Sequence, residues 1–292
     1  MPGTWEQWVQ GGRRVRVTVR SGTFEVFVRE RGEGPVVTLL HGFPMSSFDW
    51  ARLEPLLARD RRVVSLDLLG YGASDAPAGH RYGTAEHADV VEAVWRALGV
   101  TSTVLVGHDV GTGVARELLA RRADGDPNAR LDGVLLLNGA LVRDHYTPKR
   151  TVRLLALPVV GPLLARAMDE DRFVASLAGL FPAATRPPAA ELREHWTAFA
   201  GRAGTARLPR LVHYLADGRA NEQRWLAALQ RPGVPVSVVW GADDPAIPRA
   251  VADDVARRLP HVRLTLLEGT GHSPHVEHPE VVAAAVRALV TT

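Results

Sequence analysis

Hydrophobic positions change their period along this chain, and the changes divide it. Val15, Val17 and Val19, then Phe24, Val26 and Val28, alternate with other residues on either side of Ser21-Gly22, which predicts two antiparallel strands, each with one buried face. From Val36 onward the alternation gives way to short apolar runs at 36–40, 63–66, 103–106 and 133–137, separated by helical stretches such as 85–98 and 112–121. That rhythm predicts a parallel sheet with right-handed crossovers, helices on both faces and a site at the carboxyl ends of the strands. Between Ala140 and Arg231 the strand-like runs stop, and the sequence is helical by pattern and rich in Leu, Ala, Arg and Pro. Two further runs, 236–240 and 262–267, restore the strand pattern. The architecture expected is therefore α/β, with a mostly parallel eight-stranded sheet. Residues 1–139 and 232–292 form its core domain, and 140–231 form an inserted helical cap.

Polar residues gather where the apolar runs end. Gly107-His108-Asp109-Val110-Gly111 follows Val104-Leu105-Val106 directly, so a carboxylate stands at a sharp strand-to-helix turn between two glycines. Serine at such an elbow would acylate, whereas a carboxylate attacks saturated carbon and leaves an alkyl ester for water to cleave. The competing reading of the pentapeptide is an ordinary turn with Asp as a helix N-cap. A nucleophile here requires an acid and then a histidine at later strand ends, in that chain order. Asp243 and Asp244 follow the run 236–240, and His272 follows 262–267 after Gly271. His272 is favoured over His275 and His278, which lie along or past the loop to the last helix. His41 and His108 close buried strands, where a ring braces a loop or borders a pocket. Leu40-His41-Gly42-Phe43 is another strand end turning through glycine, so the backbone N–H of Phe43, with that of Val110, is the expected oxyanion hole. Trp50 and Phe48 are candidates for an apolar pocket wall or for core aromatics.

Composition narrows the surroundings. With 292 residues, 46% hydrophobic and 23% charged, the chain has the make-up of a soluble enzyme-sized globule. Its formal net charge is only +3, Lys149 is the sole lysine, and the Arg pairs at 13–14, 61–62, 121–122 and 257–258 are dispersed. A nucleic-acid stripe is therefore not expected. The chain has no cysteine and no convincing His-x-x-x-His helix, so neither a metal nor another cofactor is expected. The apolar stretch 154–164 is too short and too broken by Pro158, Gly161 and Pro162 to span a bilayer, and residues 1–10 lack a secretory apolar core. The expected protein is cytoplasmic, a monomer or homodimer, without membrane partners, acting with water on a small apolar organic substrate.

Taken together, His41-Gly42-Phe43-Pro44, Asp67-Leu68-Leu69-Gly70-Tyr71-Gly72-Ala73-Ser74-Asp75, the Asp109 elbow, the Asp244 loop and Gly271-His272 resemble α/β-hydrolases of the epoxide hydrolase and haloalkane dehalogenase group. The resemblance covers nearly the whole chain. In the cap, Phe181, Thr185-Arg186-Pro187, Trp196, Tyr214 and Arg224-Trp225 look like the mesoderm-specific transcript branch of epoxide hydrolase-like proteins. Within the Gly-x-x-Asp-x-x-x-Pro loop of such enzymes the aspartate facing the histidine corresponds to Asp244. The resemblance implies Asp109, Asp244 and His272 as catalytic triad.

It also separates the reactions of the group. Haloalkane dehalogenases usually place Trp after the nucleophile and a polar side chain after His-Gly, positions that hold Val110 and Phe43 here. Fluoroacetate dehalogenases place Arg where this chain has Val110. Epoxide hydrolases use cap tyrosines as ring-opening acids, a role open to Tyr214 and Tyr146, while Tyr71 and Tyr82 belong to packing near the sheet. Epoxide opening to a vicinal diol is the expectation. A dehalogenase with a halide site near Trp196 or Trp225, or a non-catalytic binding protein on the same scaffold, are the alternatives.

Overall fold

A computed structural model describes residues 2–125, 130–201 and 204–289. Eight strands form one sheet: β1 (Arg13–Val19), β2 (Gly22–Arg31), β3 (Val36–Leu40), β4 (Arg62–Leu66), β5 (Ser102–His108), β6 (Arg130–Leu137), β7 (Val236–Gly241) and β8 (Arg263–Leu267). Their spatial order is β1-β2-β4-β3-β5-β6-β7-β8. β1 pairs antiparallel with β2, and β2 with β4; every pairing from β4 across to β8 is parallel.

Composition explains the difference between the two ends of the sheet. In β1 only Val15 and Val17 are buried, so the strand alternates as an edge with one wet face does. All six residues of β7 are buried, as expected of a parallel strand covered on both faces. One face is covered by the helices Thr84–Ala97 and Val110–Ala123, with Val90, Val94, Val114 and Leu118 in the larger core cluster. The other carries Trp50, Leu53 and Leu57 with Val282 and Val286 of the last helix.

Between β6 and β7 the described chain forms only helices, as the pattern indicated. Their side chains share an apolar cluster of Leu155, Phe173, Leu177, Phe199 and Leu208, joined by Met45 and Val276 from elsewhere. No helix among the described residues is long and apolar enough to cross a membrane. One element went unread in the sequence: Trp5–Gln10 is helical, started by a reciprocal capping box of Thr4 and Gln7, and its Trp8 packs on Phe27 and Phe48.

Candidate active site

The elbow after β5 is built by close approach. Asp109 has φ 48° and ψ −110°, a conformation that costs a non-glycine residue about 1–3 kcal/mol. A Cβ on Gly107 would stand 2.5 Å from the Gly111 carbonyl, one on Gly42 would stand 2.6 Å from Asp109 Cβ, and one on Gly111 would collide with the Leu40 carbonyl. Two hydrogen bonds offset the strain. The N–H groups of Phe43 (2.9 Å) and Val110 (2.7 Å) both donate to Asp109 Oδ1, and bonds to a charged group contribute roughly 1.5–3 kcal/mol each. Asp109 Oδ2 remains, 3.6 Å from His272 Nε2.

His272 is held from three sides. Its Nδ1 is 2.7 Å from Asp244 Oδ2, its N–H donates to the Leu180 carbonyl, and its own carbonyl lies 2.9 Å from His108 Nε2. Asp244 Oδ1 accepts the N–H groups of Ala246 and Ile247, which orients the carboxylate. Two positioning residues were absent from the sequence reading. Asn138, at φ 28° just after β6, donates to Asp244 Oδ2 at 2.8 Å and accepts the Gly241 N–H. Glu277 takes the N–H groups of Gly271 and Ser273 and the Thr185 hydroxyl, tying down the histidine loop. A lone Asn at a strand end and a Glu at the end of the short helix Pro274–Glu277 carry no sequence pattern that separates them from ordinary polar residues.

Burial by itself would push the His272 pKa down, but the charges of Asp244 and Asp109 outweigh it and raise it to about 10. Burial would likewise raise the two carboxylates, and the imidazolium brings both below their ordinary value. At neutral pH the resting group is thus carboxylate, imidazolium, carboxylate.

Tyr146 and Tyr214 line a cavity of about 30 Å³ together with Asp109, Val110 and Trp225. Burial, and after it the charge on Asp109, pushes both phenols up, so both are protonated donors. The Phe43 and Tyr214 rings lie 5.8 Å apart. Phe43 also borders an apolar chamber of about 310 Å³ inside the helical segment. A larger surface cleft of about 650 Å³, near Arg29 and Arg52, contains none of these groups.

The sequence also nominated His41, His108 and Trp50 as pocket residues, and the structure corrects all three. His41 is fully buried, accepting the Leu68 N–H at Nε2 and facing the Gly42 carbonyl with Nδ1. Trp50 lies on the opposite face of the sheet, 4.4 Å from the His275 ring. His108 faces the His272 carbonyl from beneath. Phe48 packs in the N-terminal aromatic cluster. Strand-end residues alternate in direction, and the sequence does not say which of two adjacent ones looks toward the cavity.

One group among the described residues has metal-ligating types within reach of one another: Asp49, His108 and His275, all buried. They pack as a brace, with His275 Nε2 hydrogen-bonded to Asp49 Oδ2 at 2.9 Å and His108 Nδ1 lying 3.5 Å from the same oxygen. The alternative halide partners are also placed. Trp225 borders the cavity, but its indole N–H donates to Glu117 at 2.8 Å, and Trp196 packs on Phe173 and Phe199.

Known proteins agree with this geometry at the level of fold. Residues 35–279 match the family model described as alpha/beta hydrolase fold. The putative hydrolase LipZ of Mycobacterium tuberculosis is 34% identical over 286 residues, covering 97% of each chain. The mesoderm-specific transcript homolog protein of Homo sapiens is 33% identical over 255 residues, covering 85% of this chain and 76% of its own. Among solved structures, a haloalkane dehalogenase loop variant from Bradyrhizobium elkanii superposes with a TM-score of 0.77 at 26% identity, covering 96% of both chains. A bromoperoxidase from Bacillus anthracis shares the fold alone, with a TM-score of 0.78 at 17% identity over 96% of this chain and 100% of that one. A family model spanning most of the chain, joined to relatives matched along nearly its full length, makes this protein a member of the α/β-hydrolase fold family.

Proposed function

We propose that this hydrolase opens an epoxide to a vicinal diol through an alkyl ester on Asp109. The observation that carries the reading is the occupant of the oxyanion hole. Asp109 Oδ1 accepts both N–H groups that would otherwise receive a substrate carbonyl. An ester formed at Oδ2 would have its carbonyl oxygen already seated between those donors.

Asp109 Oδ2 attacks a ring carbon, the carbon–oxygen bond breaks, and the electron pair goes to the epoxide oxygen. Tyr214 or Tyr146 gives that oxygen a proton. Alkylation removes one of the two anions that raise His272, so its pKa falls and the imidazolium releases its proton to the tyrosinate or to solvent. Neutral His272, oriented by Asp244, then takes a proton from water as the water oxygen adds to Asp109 Cγ. Negative charge builds on Oδ1 against the Phe43 and Val110 donors, each typically contributing about 3 kcal/mol to the transition state. Collapse expels the diol oxygen, which receives the proton from His272, and Asp109 is restored.

Segment 140–231 is read as the cap that brings Tyr146 and Tyr214 over the nucleophile. Epoxide opening is favoured over halide departure because two protonated phenols share the cavity with Asp109, while the nearby indole N–H is committed to Glu117. The likeness to a haloalkane dehalogenase structure keeps that reaction as the second reading. A cysteine-free chain fits a reducing compartment, and the cytoplasm is the proposed place of action.

The test is intact mass spectrometry of His272→Gln incubated with matched epoxides and haloalkanes. The expected result is a stoichiometric adduct of whole-epoxide mass on Asp109, since ring opening adds the entire molecule. An alkyl adduct formed only from the haloalkanes transfers the assignment to dehalogenation, and no adduct with either class overturns Asp109 as nucleophile.

A further inference from the structure

Two guanidinium groups face the cavity above Asp109 and have no part in the chemistry described. Arg116, from the elbow helix, is 3% exposed; its Nη1 donates to the Leu141 carbonyl, its guanidinium lies 4.8 Å from the centre of the Trp225 ring, and its Nε is sealed from solvent with no partner. Arg143 lies over Tyr146 and borders the same cavity. Among the described residues neither guanidinium forms an ion pair. Glu222 is the nearest compensating charge for Arg116, but its Oε1 accepts the backbone N–H of Arg143 and its Oε2 is buried without a partner. Burial accordingly lowers the Arg116 pKa to about 10. A dry cation without a bonded counter-charge is unfavourable until an anion pairs with it, and a planar guanidinium is shaped for a carboxylate. The cavity is small, about 30 Å³, so the anion it pairs with belongs to a short acid.

We infer that Arg116 and Arg143 form an anion subsite for a carboxylate carried by the substrate, close to the carbon that Asp109 attacks. Resting on the proposed ester mechanism for its second half, this narrows the substrate class to compact epoxy acids. The anion could instead be a departing halide, and the experiment separates the two. Asp109→Asn protein, which needs no turnover, is titrated with butyrate, butyramide and bromide while tryptophan fluorescence is followed. Saturable butyrate binding at least tenfold tighter than butyramide, abolished in Arg143→Leu, is expected. Equal affinities, or bromide binding without butyrate binding, overturn the subsite. Turnover provides the second readout: the kcat/KM ratio of an oxirane carboxylate to its amide is expected to exceed ten and to fall toward one in Arg143→Leu and Arg116→Met. Should Arg116→Met fail to fold, Arg143→Leu alone decides. Should no epoxide be hydrolysed, the binding titration still judges the subsite while the ester mechanism fails by itself.

A separate surface feature has no part in the site. The exposed large apolar side chains among the described residues are Leu157 (45%), Val159 (73%) and Leu163 (59%), and all three lie on or beside the turn joining the helices Arg150–Leu155 and Val160–Arg166. Residues 145–168 contain no Asp or Glu, while Arg150, Arg153 and Arg166 are exposed there and form no ion pair among the described residues. The next acids, Asp169 and Glu170, are matched by Arg172 and Arg193. On the inner side Val152 and Leu155 wall the 310 Å³ apolar chamber. Apolar side chains projecting among free cations match the interface of an anionic bilayer, where acyl chains and negative headgroups meet.

We propose that this turn seats the protein on an anionic lipid surface, directly outside the apolar chamber. Co-sedimentation with phosphatidylcholine vesicles, with and without phosphatidylglycerol, tests it. Binding is expected only with the anionic lipid, weakened at least tenfold by the triple change Leu157→Ser, Val159→Ser, Leu163→Ser and by raised salt. Absence of binding, or a wild-type dimer that the triple variant converts to monomer without any vesicle binding, overturns the proposal; the latter makes the patch an interface between copies.

Discussion

Two carboxylate–imidazole groups share the carboxyl end of this sheet. His108 and Asp109 are adjacent in the chain, and His272 and His275 are three residues apart, yet Asp109 borders the cavity and meets His272 while His108 and His275 meet Asp49. In the upper group the imidazole lies between two carboxylates, Asp109 and Asp244, and its pKa rises to about 10. In the lower group burial dominates, one carboxylate serves two rings, and the His275 pKa falls to about 4. Residue types are the same, and the ratio of acids to rings decides where the proton resides. The upper group holds a charge ready to be redistributed when Asp109 is alkylated. In the lower one His275 is held neutral by burial, and His108 braces the backbone of His272.

Removing one carboxylate from each group should therefore give opposite results. Asp109→Ala is expected to lower turnover by about 10⁴-fold or more, as loss of a nucleophile does, with only a modest loss of stability, because a buried charge leaves while the backbone strain at residue 109 stays. Asp49→Ala is expected to lower unfolding free energy by about 3 kcal/mol, by stranding buried imidazole groups, and to change kcat less than about tenfold. Steady-state kinetics and urea unfolding of the two variants measure both; a catalytic collapse in Asp49→Ala with stability intact would merge the two groups into one functional unit.

Within the upper group the ranking continues. Asp244→Asn is expected to slow ester hydrolysis by about 10³–10⁴-fold while ring opening persists, so the covalent adduct should accumulate in single-turnover mass spectra. Tyr214→Phe is expected to slow ring opening by about 10²-fold, with a smaller effect if Tyr146 supplies the same proton. Rapid-quench measurement of adduct formation separates these two, since only the tyrosine change delays the adduct.

How much of this contrast was legible beforehand follows from what sequence encodes. The sheet, its antiparallel edge and the strandless stretch before β7 were legible because period and run length report burial directly. The elbow was legible because Gly107 and Gly111 stand where no Cβ fits. His41 and His108 stayed open between bracing a loop and bordering a pocket because the sequence does not give the direction of a side chain at a strand end, and Trp50 stayed open between pocket wall and core because a short helical turn, Ser47–Trp50, does not show which side it buries. Asn138, Glu277 and the guanidinium of Arg116 were missed for another reason. Asn138 acts on a partner 106 residues away, Glu277 through loop amides whose directions the sequence does not show, and Arg116 across a cavity that exists only once the helical segment is folded.

The smallest expected effect is on pH dependence, and there the two groups should oppose each other. His275 has a folded pKa lowered from 6.5 to about 4, so between those values the unfolded chain binds more protons. Its contribution to stability is complete above pH 6.5 and is lost as pH falls toward 4. His272 is raised from 6.5 to about 10, so the folded state binds the extra proton across that window. Its contribution is complete below pH 6.5 and is lost as pH rises toward 10. His272→Gln should therefore flatten the alkaline limb of the stability profile, and it also alters the acid limb because Asp109 and Asp244 lose the imidazolium that lowers them. His275→Gln should flatten only part of the acid limb, because the buried rings of His41, His87 and His195 are lowered as well and titrate there too. Urea midpoints measured across both limbs for the parent and the two variants decide the matter: if His275→Gln flattens the alkaline limb, or His272→Gln leaves it as steep as in the parent, the proton does not reside where the ratio of acids to rings puts it.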